Sequence, residues 1–166
     1  MSKRTPLPPP VVNASPLIFL ASGGYLDLLR LSGDDILVPE AVAQEIRRRG
    51  PEDVTARALQ ETAWLRVVDS PPAPPMIQAW DLGDGEAAVL TLAHLRPGTE
   101  VIIDDRLGRR CAAALGIPFR GTLALVLVAK RTGWIDAARP VVERLVHAGM
   151  YLSRKVVEEA LALVGE

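Results

Sequence analysis

The stretch Val11-Val12-Asn13-Ala14-Ser15-Pro16-Leu17-Ile18 decides the fold. Two β-branched apolar residues read as a short buried strand, and Asn13 closes it. A helix is predicted from Pro16, with Ser15 as its cap. The same order recurs at Val101-Ile102-Ile103-Asp104-Asp105, an apolar run followed by an acidic pair and a helical segment, Arg106–Leu115. Continuously apolar strands that alternate with helices predict a buried, mainly parallel sheet in a three-layer α/β/α sandwich. In such sheets ligands bind beyond the carboxyl ends of the strands, where the strand order reverses. Asn13, Asp104 and Asp105 are therefore candidate site residues. Glu45 and Glu86, near helix starts, add two more oxygen donors. A set of hard oxygens predicts a Mg²⁺ or Mn²⁺ pocket.

Working outward, Gly23–Gly24 breaks the first helix and Tyr25–Leu31 continues as a second apolar helical piece. Ile36–Val38 reads as a strand. Pro39 opens a helix that carries Val42, Glu45 and Ile46, and Arg47–Arg48–Arg49–Gly50 ends it with cations suited to a helix C-terminus. A helix over Pro51–Ala63, a strand Leu65–Val68 and a Pro-rich surface loop Ser70–Pro75 follow. Gly83–Leu95 is predicted helical with Asp84 as its cap. Beyond Arg106–Leu115 come a short strand near Ile117–Phe119, a helix Leu123–Arg131 capped by Thr122, and two final helices, Pro140–Ala148 and Ser153–Val164. Residues 1–10 read as a flexible Pro-rich tail, and 11–166 as one domain.

Composition narrows the function classes. With 19 Lys and Arg against 20 Asp and Glu, overall charge selects no partner, so a nucleic-acid surface would need a local basic patch. Arg106, Arg109 and Arg110 follow the acidic pair, and Arg47–Arg49 follow Glu45. Either group fits a backbone-tracking surface or a solvated helix face. Aromatics form only 4% of the chain, which predicts little base stacking. The single Cys111 excludes an internal disulfide and predicts a buried thiol in a reducing, cytoplasmic setting. Lys3 and Arg4 before the apolar stretch Val11–Leu20 loosely imitate a secretory leader. Five prolines before residue 17, and Asn13 within the stretch, argue against one. No run is long enough to span a membrane. His94 and His147 lack partners at zinc-ligand spacing, Gly121–Thr122 lacks a nucleophile elbow, and Gly83-Asp84-Gly85 is too short for a phosphate loop.

Five pieces in register resemble a PIN-like nuclease family. They are Asn13-Ala14-Ser15-Pro16-Leu17-Ile18, Val38–Ile46, Leu82–Ala93, Ile102–Arg110 and Gly121-Thr122-Leu123. PIN domains are similar in fold to Rossmann-like sheets and cluster three or four acids that bind Mg²⁺ or Mn²⁺ and cut RNA. Many are the toxins of toxin–antitoxin pairs, and they generally dimerise. The resemblance implies a metal-dependent ribonuclease with a small antitoxin as partner. Its acidic positions fall on Asn13, Glu45, Glu86 and Asp105, with Asp104 beside the fourth. Glu86 and Asp105 are implied as direct ligands, Glu45 as a second ligand or a partner of metal-bound water. Ser15, Arg106, Arg109 and Arg110 are the expected substrate contacts, and the apolar piece Leu17–Leu31 is a candidate dimer surface.

Asn13 departs from the Asp found in most active PIN nucleases. An amide oxygen still coordinates a cation, but it carries no charge and takes no proton. The competing expectation is a catalytically silent PIN-like module that binds protein or RNA. Receiver domains and haloacid-dehalogenase phosphatases are disfavoured, because both need acids where Asn13-Ala14-Ser15 stand.

Overall fold

The computed structural model describes residues 6–166. The first five residues of the expected tail lie outside that range. Of the others, Pro10 is buried and its carbonyl accepts from Leu37 N–H at 2.9 Å.

Five parallel strands form the sheet: β1 (Val11–Val12), β2 (Ile36–Pro39), β3 (Leu65–Val68), β4 (Val101–Ile102) and β5 (Phe119–Arg120). Their order is β3-β2-β1-β4-β5. Val11 and Val12 register with Val101 and Ile102 on one side, and Val11 with Leu37 on the other. The strand order therefore reverses between β1 and β4, and Asn13 and Asp104 lie just beyond their carboxyl ends. β1, β2 and β4 are buried throughout, as their unbroken apolar runs require.

Helices α1 (Ala14–Gly23), α2 (Glu40–Arg47) and α3 (Val54–Glu61) connect the first three strands. The short α4 (Pro75–Gln78) and the longer α5 (Asp84–Leu95) lead back to β4, and α6 (Arg106–Ala114) joins it to β5. Right-handed crossovers place α1 and α3 on one face and α5 and α6 on the other. In agreement, α1 packs on α3, and α5 packs on β1, β2, β4 and α6. Helices α7 (Thr122–Arg131), α8 (Arg139–His147) and α9 (Arg154–Ala162) complete the chain. Ser153 caps α9, accepting from Val156 N–H at 3.2 Å.

Several boundaries differ from the sequence reading, each for a physical reason. Ser15 lies inside α1, and Asn13 holds the N-cap position without a side-chain cap bond. Asp53 starts α3 by accepting from Thr55 and Ala56 N–H groups, leaving Pro51 and Glu52 in a turn. Gly83, not Asp84, is the N-cap of α5. The expected loop ends in α4, whose first residue is Pro75. Tyr25–Leu31 forms a 3₁₀ segment, Leu26–Leu31. Within the expected dimer stripe Leu17, Leu20, Leu28 and Leu29 are core residues, while Ile18, Phe19, Tyr25, Leu26 and Leu31 are half-buried. Cys111 is fully buried, and burial pushes its thiol pKa up.

Candidate active site

Asn13 is only 2% exposed, held by β1 at the sheet's reversal point. Its amide Nδ2 donates to Glu86 Oε1 at 3.3 Å, from the first turn of α5. That orientation is the favourable one, since an amide oxygen turned to a carboxylate would repel it. Asn13 Oδ1 consequently points elsewhere, buried and without a hydrogen-bond partner. An orphaned buried carbonyl oxygen is costly and marks a place where a donor or cation belongs.

Gly85 shows what faces that oxygen. A Cβ at Gly85 would lie 3.2 Å from Glu45 Oε2, 3.3 Å from Asn13 Oδ1 and 3.4 Å from Val42 Cγ2. Glu45 and Asn13 thus present oxygens to one small space that only a missing side chain leaves free. Glu45 sits at the rim, largely open to solvent. Partial burial raises its pKa first, and the Glu86 carboxylate raises it further, while Arg48 pulls it down. Asn13, Glu45 and Glu86 form one half of the site.

Asp104 and Asp105 form the other half, and their oxygens are partly engaged. Thr122 N–H donates to Asp104 Oδ1 at 2.7 Å, and Thr122 Oγ1 donates to Oδ2 at 2.6 Å. The cap of α7 is therefore Asp104, eighteen residues upstream, rather than the expected Thr122. Asp105 caps α6, accepting from Gly108 N–H with Oδ2 at 2.7 Å. Among the described residues no three Asp, Glu, His or Cys side chains converge closely enough to enclose an ion by themselves. The donors do fit a cation that keeps most of its waters, as Mg²⁺ does with one or two carboxylates.

Glu86, Asp104 and Asp105 share a cleft of about 780 Å³ with Ser15, Arg109 and Gly121. Its far wall is apolar, built from Phe19, Leu123, Leu127, Met150, Leu152 and Val156 among others. Arg109 Nη1 lies 3.8 Å from where a Gly121 Cβ would be, with Asp104 Oδ1 at 3.1 Å from the same point. Of the second basic run, Arg47 pairs with Glu40 and Arg49 with Asp53, so two of its three cations are committed.

A family model described as a PIN domain matches residues 9–166. The chain belongs to the PIN domain family. It carries that family's nuclease-type fold, with Asn13, Glu45 and Glu86 in contact or close range and Asp104 and Asp105 lining the same cleft as Glu86. No curated protein matches the chain in sequence. Within this PIN domain, Gly85 and Thr122 are site residues that sequence reasoning missed. A glycine inside a helix pattern was the signal available for Gly85, whereas Thr122 gave only a local cap signal.

Gly85 gives a clean separation of stability from binding. Replacing it with Ala adds helix propensity worth about 0.5–1 kcal/mol but fills the space between Glu45 and Asn13. We expect Gly85→Ala to change thermal stability little while weakening Mn²⁺ binding by roughly tenfold or more. Paired melting and calorimetric titrations check both. Unaltered Mn²⁺ affinity would show that the space over Gly85 plays no part in binding.

Proposed function

We propose that this PIN domain is a divalent-metal-dependent ribonuclease, the toxin of a toxin–antitoxin pair acting in the cytoplasm. The observation that carries the reading is the unpartnered, buried Asn13 Oδ1 beside the carboxylates of Glu45 and Glu86. Two nearby acids at the reversal point of a parallel sheet are costly for folding and useful for holding a cation. Glu86 and Asp105, which line the same cleft, would hold the cation, and the Asn13 amide oxygen would offer a neutral donor beside them. When bound, it supplies charge neutralisation and an activated water for phosphodiester hydrolysis.

The chain's own residues do the rest. Glu45, with its raised pKa, is the group best suited to take a proton from the attacking water and release it again. Arg109 and Ser15 line the same cleft and offer donors to the phosphate oxygens. Asp104 acts through Thr122, fixing the start of α7 and with it the cleft wall. The apolar wall beside the acids supports a protein partner that covers the site, either a small antitoxin or a second copy of the chain.

A second reading, a silent binding module, is favoured by one contact. Asn13 already gives Glu86 a hydrogen bond that needs no metal. Incubating wild type and Glu86→Ala/Asp105→Ala with synthetic RNA and Mn²⁺ tests the first reading. We expect cleavage by the wild type and a loss of about a thousandfold or more in the double variant. Equal cleavage by both would place the activity elsewhere. No cleavage by either would leave the binding module.

A further inference from the structure

Beside the acidic cleft, toward β5, lies a second hollow of about 460 Å³ lined by Arg106, Arg109, Arg110, Ala113 and Phe119. Arg109 lines both spaces, so the two adjoin at its side chain. The three arginines stand in the first turn and a half of α6, which has no acid in its first turn. A helix N-terminus disfavours cations, and guanidinium groups at i, i+3 and i+4 repel one another. Among the described residues Arg47, Arg49, Arg57, Arg66, Arg120 and Arg139 each face a carboxylate, whereas the other unpaired surface arginines, Arg30, Arg48, Arg96, Arg131, Arg144 and Arg154, stand scattered along the chain rather than in one turn and a half of helix. Among the described residues Arg106, Arg109 and Arg110 have no ion-pair partner. Beyond the Asp105 cap at the helix start and the Phe119 ring beside Arg109, no group of the described chain engages these three charges, and an external anion would relieve their mutual repulsion.

Phe119 adds a second, independent feature. It is 36% exposed on the edge strand β5, and the Arg109 guanidinium lies 5.3 Å from its ring centroid. An aromatic ring with a guanidinium over it offers a flat surface on which a nucleobase stacks.

We infer that this hollow is a shelf for single-stranded RNA adjoining the cleavage site, where Arg106 and Arg110 hold a flanking phosphate and Phe119 with Arg109 carries a base. An acidic peptide would satisfy the charges but has no use for the stacking surface, which is why the occupant is nucleic acid. The proposal rests on the ribonuclease reading only for the direction in which the strand continues, from the shelf into the acidic cleft.

Binding of a fluorescein-labelled oligouridylate, followed by anisotropy in EDTA so that nothing is cleaved, tests the shelf. The comparison set is wild type, Arg106→Ala/Arg110→Ala, Phe119→Leu and Glu86→Ala/Asp105→Ala. An abasic oligomer of equal length and polyglutamate serve as second probes, and melting curves confirm that each variant is folded. The arginine variant should bind more weakly and lose about 0.7 of the log–log salt slope per phosphate contact removed. Phe119→Leu should weaken oligouridylate binding roughly tenfold and leave the abasic oligomer unchanged. Glu86→Ala/Asp105→Ala, which removes two carboxylates from the path of the strand, should bind in EDTA at least as tightly as wild type.

Shelf variants that bind as wild type would overturn the proposal. So would a Phe119→Leu loss shared equally by the abasic oligomer, or polyglutamate binding with the same sensitivity to the variants. Shelf-dependent binding without any cleavage by wild type in Mn²⁺ would retain the shelf and remove the ribonuclease reading. Cleavage with shelf-independent binding would do the reverse.

Discussion

Asn13→Asp is expected to lower stability without divalent cation and to recover it when Mn²⁺ is added. The substitution removes the Nδ2 donor that Glu86 accepts at 3.3 Å and places a third carboxylate beside Glu86 and Glu45, at a position only 2% exposed. A like charge at that range raises carboxylate pKa values in the folded state by about one to three units, so the apo protein should lose about 2 kcal/mol at neutral pH. The sign follows from the direction of those shifts. Raised folded-state values mean that ionisation opposes folding. The loss is therefore fully developed above the shifted values and fades as pH falls toward the ordinary carboxylate range. Bound Mn²⁺ reverses the argument, because each added charge then faces a cation. Affinity should rise tenfold or more, and the melting temperature should climb more steeply with Mn²⁺ than in wild type. Higher RNA cleavage alongside would make the native protein an attenuated nuclease. Tighter metal binding without cleavage would favour the silent module. A variant that is no less stable in EDTA and binds Mn²⁺ no better would contradict the arrangement of Asn13, Glu45 and Glu86 described above.

The largest purely structural effect is expected at Asp104. Its carboxylate accepts both the N–H and the hydroxyl of Thr122, and Thr122 is 0% exposed. Asp104→Ala leaves two buried donors unpaired at the start of α7, which costs about 3 kcal/mol. For a chain of this length that is a fall of roughly 10 °C in melting temperature. Asp104→Asn should lose much less, about 1 kcal/mol, because an amide can accept from the N–H and donate to Oγ1. Thermal melts of the two variants check the mooring role. An Asp104→Ala protein that melts like wild type but fails to bind Mn²⁺ would make Asp104 a metal ligand instead.

What the sequence disclosed depends on how local the cause was. β1 and β3 were legible to the residue, because a short apolar run between turn signals is a local property. The reversal point was legible as well, since Asn13 and Asp104 each close such a run. The start of α3 was misjudged because Asp53 captures the N–H groups of Thr55 and Ala56 before Pro51 can begin a helix. Other features come from distant chain and leave no local trace. Ser70 accepts from Ala41 N–H and so caps α2 from twenty-nine residues away. Asp104 caps α7 in the same manner. Within the site, Asn13, Glu45 and Glu86 were named one by one, but the Asn13–Glu86 contact spans 73 residues. The free space over Gly85 exists only once β1, α2 and α5 are assembled. The arginines after Asp105 were visible, yet Phe119 joins them only because β5 pairs beside β4. A low aromatic content therefore hid one well-placed ring.

The most direct test is a calorimetric titration of Mn²⁺ into wild type and Glu86→Ala/Asp105→Ala, both shown folded by melting. Saturable binding to the wild type that disappears in the double variant is the predicted result. Wild type that takes up no Mn²⁺, or a double variant that binds it equally well, would contradict a metal site in this cleft.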